Sequence, residues 1–153
     1  MPRNLSEHFT LEELVASQTA ARKGIDNTPG VTAMRNLKSL ADVLEEVRVL
    51  LGGVSIIVSS GYRSPALNAA VGGSEKSAHM QGLAADFTAP KFGTVLQTAR
   101  KIAASGIAYD QLIHEYGSWV HIGLTAPGVK PRRQNLSIFQ GTGYLPGIVS
   151  KPM

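Results

Sequence analysis

The chain has 153 residues, 43% hydrophobic and 17% charged, which is enough apolar content for one domain with its own core and excludes a disordered chain. It has no cysteine, so disulfides and thiolate metal sites are excluded, and any metal must be held by His, Asp or Glu. The formal net charge of +4 suits anionic surroundings such as wall polymer or headgroups, but aromatics are 6% and no basic run is interleaved with them, so no nucleic-acid platform is expected.

The opening stretch MPRNLSEHFT lacks the charged-then-apolar pattern of a secretory signal, and no apolar run reaches the roughly 18 residues of a membrane span. The expectation is synthesis in the cytoplasm without stable membrane insertion. Thr10, ahead of Leu11, Leu14 and Val15 and with Glu13 three residues on, predicts a helix that opens with a capping box. Asn27, Pro29 and Gly30 break the chain. From Val31 to Leu51 apolar residues recur at helical spacing (Met34, Leu37, Leu40, Ala41, Leu44, Val47), which predicts a long amphipathic helix stopped by Gly52 and Gly53.

The β-branched run VSIIVSS predicts a strand closed by Gly61, and Ser64-Pro65 starts a short helix, PALNAAV. GGSEKSAHMQG reads as loop and LAADF as a second short strand. A helix over about TVLQTARKIAASG follows. YDQLIHEYGSWVHIGL reads as two strands of a hairpin turning near Gly117-Ser118. From about Thr125 the chain is a Pro/Gly-rich, basic tail with one strand-like piece, NLSIFQ. Leading helices followed by antiparallel strands predict a single α+β domain over residues 1–153, its helices on the N-terminal side packed on a small, mostly antiparallel sheet.

Asp86 stands in the apolar and small-residue run LAADF, where an isolated charge is too costly to bury without donors or a cation. The chain has four histidines: His8, His79, His114 and His121. His79 lies in the loop before the Asp86 strand, and His121 lies on a separate strand in WVHIG. Two imidazoles and one carboxylate, with a fourth position open, form a catalytic zinc arrangement. His8, beside Phe9, reads as surface, and Lys130, Arg132, Arg133 and Lys151 read as a solvated basic tail. Gly82 reads as a backbone position that other residues resist.

SAHMQGLAAD together with WVH resembles the zinc peptidases related to D-alanyl-D-alanine carboxypeptidases, through Ser77, His79, Gly82, Ala84, Asp86, Trp119 and His121. SSGYRSPALNAAVGGS is similar to the Tyr-Arg segment ahead of their metal loop. LSEHFTLEEL and IDNTP look like the N-terminal region of their small phage and prophage-type members. The scaffold is shared with the signalling domain of hedgehog proteins. The resemblance implies one Zn2+ held by His79, Asp86 and His121, and an acidic general base near the second histidine. Glu115 is the candidate base, six residues before His121 as in hedgehog; the closer position, 118, holds Ser.

Hairpin geometry leaves two candidates for that base. A two-residue turn sets His114 opposite His121, whereas a three-residue loop, Tyr116 to Ser118, puts Glu115 on the face of Trp119 and His121. Arg63 is expected to anchor a substrate carboxylate or steady an oxyanion, Ser77 to touch substrate or orient a ligand, and Trp119 to flank the site. The implied function is hydrolysis of a peptidoglycan stem peptide, as carboxypeptidase or endolysin-like endopeptidase, in the cell wall or periplasm after a holin-type partner opens the way. The competing readings are a non-hydrolytic zinc-bearing binding module and a virion structural protein. Nothing in the sequence sets the oligomeric state.

Overall fold

A computed structural model describes residues 3–153; Met1 and Pro2 of the opening stretch lie outside the described residues. Six strands form one sheet in the order β1-β2-β4-β3-β5-β6: β1 (Ile57–Ser60), β2 (Ala84–Thr88), β3 (Gln111–Glu115), β4 (Trp119–Gly123), β5 (Gln134–Ile138) and β6 (Leu145–Pro146). Every pairing is antiparallel except β3 with β5. The helices are α1 (Leu11–Val15), α2 (Gln18–Lys23), α3 (Val31–Leu50), α4 (Pro65–Ala70) and α5 (Val95–Ala103). The architecture is the expected α+β with a mostly antiparallel sheet, although α5 follows β2 and the helices are not all N-terminal.

The capping box at Thr10 forms as the sequence predicts: its hydroxyl accepts from the Glu13 amide, and the Glu13 carboxylate accepts from the Thr10 amide. α1 is nonetheless short. Ser17 caps a new helix through its own hydroxyl, which turns the chain at residues 16–17. α3 buries Leu37, Leu40, Ala41, Leu44 and Val47 against the sheet face that carries Ala85, Phe87, Leu112, Val120 and Ile122, together with Ile102 of α5. At about 25 cal/mol per Å² of apolar surface removed from water, this layer is the main stabilising element of the domain. The opposite sheet face is thereby left to the polar residues of β2 and β4.

The basic tail corrects the sequence reading. Arg132 forms a two-pronged pair with Asp110, at 2.9 and 2.8 Å. Arg133 lies 4.5 Å over the Tyr109 ring and donates to the Ile107 and Ser105 carbonyls. These two side chains stitch the tail to the entry of β3, which lets β5 add to the sheet in parallel. Their planar, forked donors suit carbonyls, carboxylates and ring faces as a lysine ammonium would not.

Candidate metal centre

β2 and β4 are neighbours, and their register sets Asp86 directly opposite His121, so both side chains leave the same sheet face. His79 arrives from the 3-10 turn Ala78–Gln81, immediately before β2. Three contacts hold that turn. The Ser77 hydroxyl accepts from the His79 amide at 3.2 Å, and Asn36 of α3 donates to the Gln81 carbonyl at 2.8 Å. Gly82 ends the turn at φ +73°, where a Cβ would lie 2.7 Å from the Ala33 carbonyl oxygen. Both the left-handed backbone and the close approach to α3 require glycine there.

His79, Asp86 and His121 each offer one ligand atom, and these atoms all lie within 4.8 Å of one another. His79 Nδ1 is 2.7 Å from the Gly61 carbonyl. A carbonyl can only accept, so the proton sits on Nδ1 and the Nε2 lone pair faces Asp86 Oδ1 at 3.4 Å. His121 Nδ1 lies 2.8 Å from the same oxygen. Ligands about 2.0–2.1 Å from a tetrahedral ion are roughly 3.3 Å apart, so this donor set fits zinc in both spacing and chemistry. Burial pushes the Asp86 carboxyl up, but the hydrogen bond from His121 and the closeness of both imidazoles outweigh it and hold the group well below the ordinary carboxylate range.

The β3–β4 connection is the three-residue loop Tyr116–Ser118, with Tyr116 and Gly117 both at positive φ, and Glu115 pairs with Trp119. Glu115 therefore shares the face of His121. Its Oε2 accepts from the Trp119 indole N–H at 3.0 Å, and its Oε1 is 3.9 Å from His121 Nδ1. Burial raises the Glu115 pKa and the Asp86 charge raises it further. His114 points to the other face. Its Nδ1 lies 3.0 Å from the Val149 carbonyl, and its ring packs edge-on against Phe139. Burial keeps this imidazole below its ordinary pKa.

Arg63 is engaged at all three nitrogens: Nε to Ser60 Oγ and Nη1 to Asn68 Oδ1, each at 3.2 Å, and Nη2 3.7 Å from Asp86 Oδ2. Three asparagines build this surround: Asn27, expected only to break the chain, and Asn36 and Asn68, which the sequence did not single out. Asn27 bridges the Val15 and Tyr62 carbonyls to the Ser64 amide, Asn36 holds the 3-10 turn, and Asn68 ties Arg63 to Ser74. The detectable signal was Asn36, a polar residue on the apolar stripe of α3, since a buried amide must find partners. Asp86, Arg63 and Trp119 open into a cleft of about 880 Å³ that is also lined by Gln18, Thr19, Ala21 and Arg22 of α2.

The model of the family described as Peptidase M15 matches residues 7–123, a span that contains the three donors, Glu115 and Arg63 and ends with β4. No curated protein matches the chain. Among the described residues no helix is long and apolar enough to cross a membrane. With a matched span of that length and a donor set of this chemistry, the chain belongs to the Peptidase M15 family of zinc metallopeptidases.

Proposed function

We propose that this peptidase hydrolyses a bond in the stem peptide of bacterial peptidoglycan, as a D,D-carboxypeptidase or as an L,D- or D,D-endopeptidase, with His79, Asp86 and His121 holding one zinc ion. The observation that carries the reading is the Glu115 carboxylate, set beside His121 with one oxygen held by the indole of Trp119, which itself lines the cleft together with Asp86. Bound zinc supplies Lewis-acid polarisation and brings the pKa of water toward about 7.

Glu115 takes the proton of the attacking water and delivers it to the departing amide nitrogen, a role worth about 10²- to 10⁴-fold. Burial raises its pKa, and a carboxylate that holds a proton more readily is suited to carrying one from water to the amine. Trp119 ties down one carboxylate oxygen, so the other stays turned toward His121. The Arg63 guanidinium, pinned by Ser60 and Asn68, adds fixed positive charge beside Asp86 for the developing oxyanion. Ser77 orients His79 through the cap of its turn.

The test is purified cell wall incubated with zinc-loaded protein. New amines and shortened fragments by mass spectrometry, abolished by EDTA, are expected. Zinc-loaded protein that leaves wall and stem peptides intact refutes hydrolysis, and wall binding without turnover would favour a binding module.

A further inference from the structure

Among the described residues, the charged side chains lining the cleft are Arg22, Arg63 and Asp86. Asp86 is turned to the metal donors, and Arg63 has every nitrogen engaged with only 17% of its side chain exposed. Arg22 differs. It is exposed, and its one hydrogen bond is a long 3.5 Å contact to Thr19 Oγ1 of its own helix. No carboxylate of the described residues pairs with it within 4.0 Å.

Arg22 lies in the last turn of α2, where a cation complements the helix dipole wherever it points. Lys23 in that same turn serves the same end, yet it does not line the cleft. The wall around Arg22 is small, with Ala16, Ser17, Thr19 and Ala21 leaving space for a ligand. An unpaired guanidinium in a concave site presents a ready fork for a planar anion, and a carboxylate accepts from it through two parallel hydrogen bonds.

We infer that Arg22 anchors a second carboxylate of the substrate, away from the bond that is cut, so that the favoured substrate class is a peptide with an internal free carboxylate rather than its carboxamide. This inference rests on the peptidase reading above. It sets α2 as the specificity wall of the cleft and leaves Arg63 to the reacting end.

The test uses two stem peptides that differ only in one internal carboxylate or carboxamide, with zinc-loaded wild type, Arg22→Gln, Arg22→Lys and Lys23→Gln. Wild type is expected to prefer the acid about 10- to 100-fold, the range for a charge-assisted pair, mainly through KM. Arg22→Gln is expected to bring that ratio close to 1, Arg22→Lys to keep part of it, and Lys23→Gln to keep nearly all of it. An equal fall in Arg22→Gln and Lys23→Gln would mean a general field effect and overturn the inference, as would a preference that survives in Arg22→Gln.

Calorimetric binding of the same peptides separates the two readings. Absent turnover with Arg22-dependent binding of the acid removes the peptidase reading and upholds the anchor. Turnover without any acid preference does the reverse.

Discussion

The two faces of the β3–β4 hairpin hold equally buried histidines in opposite circumstances. His79, docked over one face, and His114, on the other, are each only 3% exposed. Both use Nδ1 against a backbone carbonyl, Gly61 for His79 and Val149 for His114. The difference is at the other end of the ring. His79 turns Nε2 toward a carboxylate that a second imidazole shares, whereas the ring of His114 packs on Phe139 beneath the tail. Burial alone does not separate a ligand histidine from a packed one; the convergence of lone pairs does.

The comparison is tested most severely by removing one histidine from each face. His121→Ala is expected to bring peptide hydrolysis to background and to abolish zinc retention by elemental analysis. His114→Ala keeps zinc and turnover. EDTA lowers the Tm of wild type and of His114→Ala, because a ligand bound only to the folded state stabilises it, and leaves His121→Ala unmoved. Zinc loss in His114→Ala would erase the distinction between the faces.

Glu115→Gln comes next. It retains zinc and loses about 10²- to 10⁴-fold in kcat in a stem-peptide assay, since the amide keeps the indole contact but cannot take a proton. Full activity in that variant would end its role as base. Gly82→Ala strains the turn that carries His79 and is expected to cost about 1–3 kcal/mol in chemical denaturation, through its left-handed backbone and the Ala33 contact. His114→Ala, on the packed face, costs about 2 kcal/mol by the same measurement, from a lost hydrogen bond and a partial cavity.

The smallest effect lies away from both faces, where the N-terminal arm docks on α3. Glu45 accepts from the Ser6 hydroxyl and the His8 amide, both at 2.6 Å, and pairs with the His8 ring at 2.7 Å. Burial raises its pKa, but these contacts outweigh burial and leave it below the ordinary glutamate value. The ionised form is therefore favoured by folding. Its contribution of about 1 kcal/mol is complete above the unfolded pKa of about 4.3 and fades as pH falls through the lower folded value. Thermal unfolding between about pH 5 and pH 3 should show a shallower loss in Glu45→Gln than in wild type, and identical slopes would remove this contact from the stability of the arm.

Local pattern carried much of the molecule. The stripe from Val31 to Leu50, the caps at Thr10 and Ser64 and the β-branched strands follow from spacing and side-chain chemistry acting over a few residues. The donor triad was legible because a carboxylate in an apolar strand needs a counterpart, and histidines are few. Other features were not local. Which of Glu115 and His114 shares the face of His121 turned on one residue of loop length, since a strand alternates faces at every step. Arg132 and Arg133 looked solvated because their partners, Asp110 and Tyr109, lie more than twenty residues away. Arg22 and Arg63 are both arginines beside short polar runs; only the packing of Asn68, Ser60 and Asp86 around one of them, and of nothing acidic around the other, gave them different work. Sequence determines which groups the chain owns and the period at which it shows them. Tertiary structure decides which of them meet, because hydrogen bonds and charge pairs act over a few ångströms in space, whatever their separation along the chain.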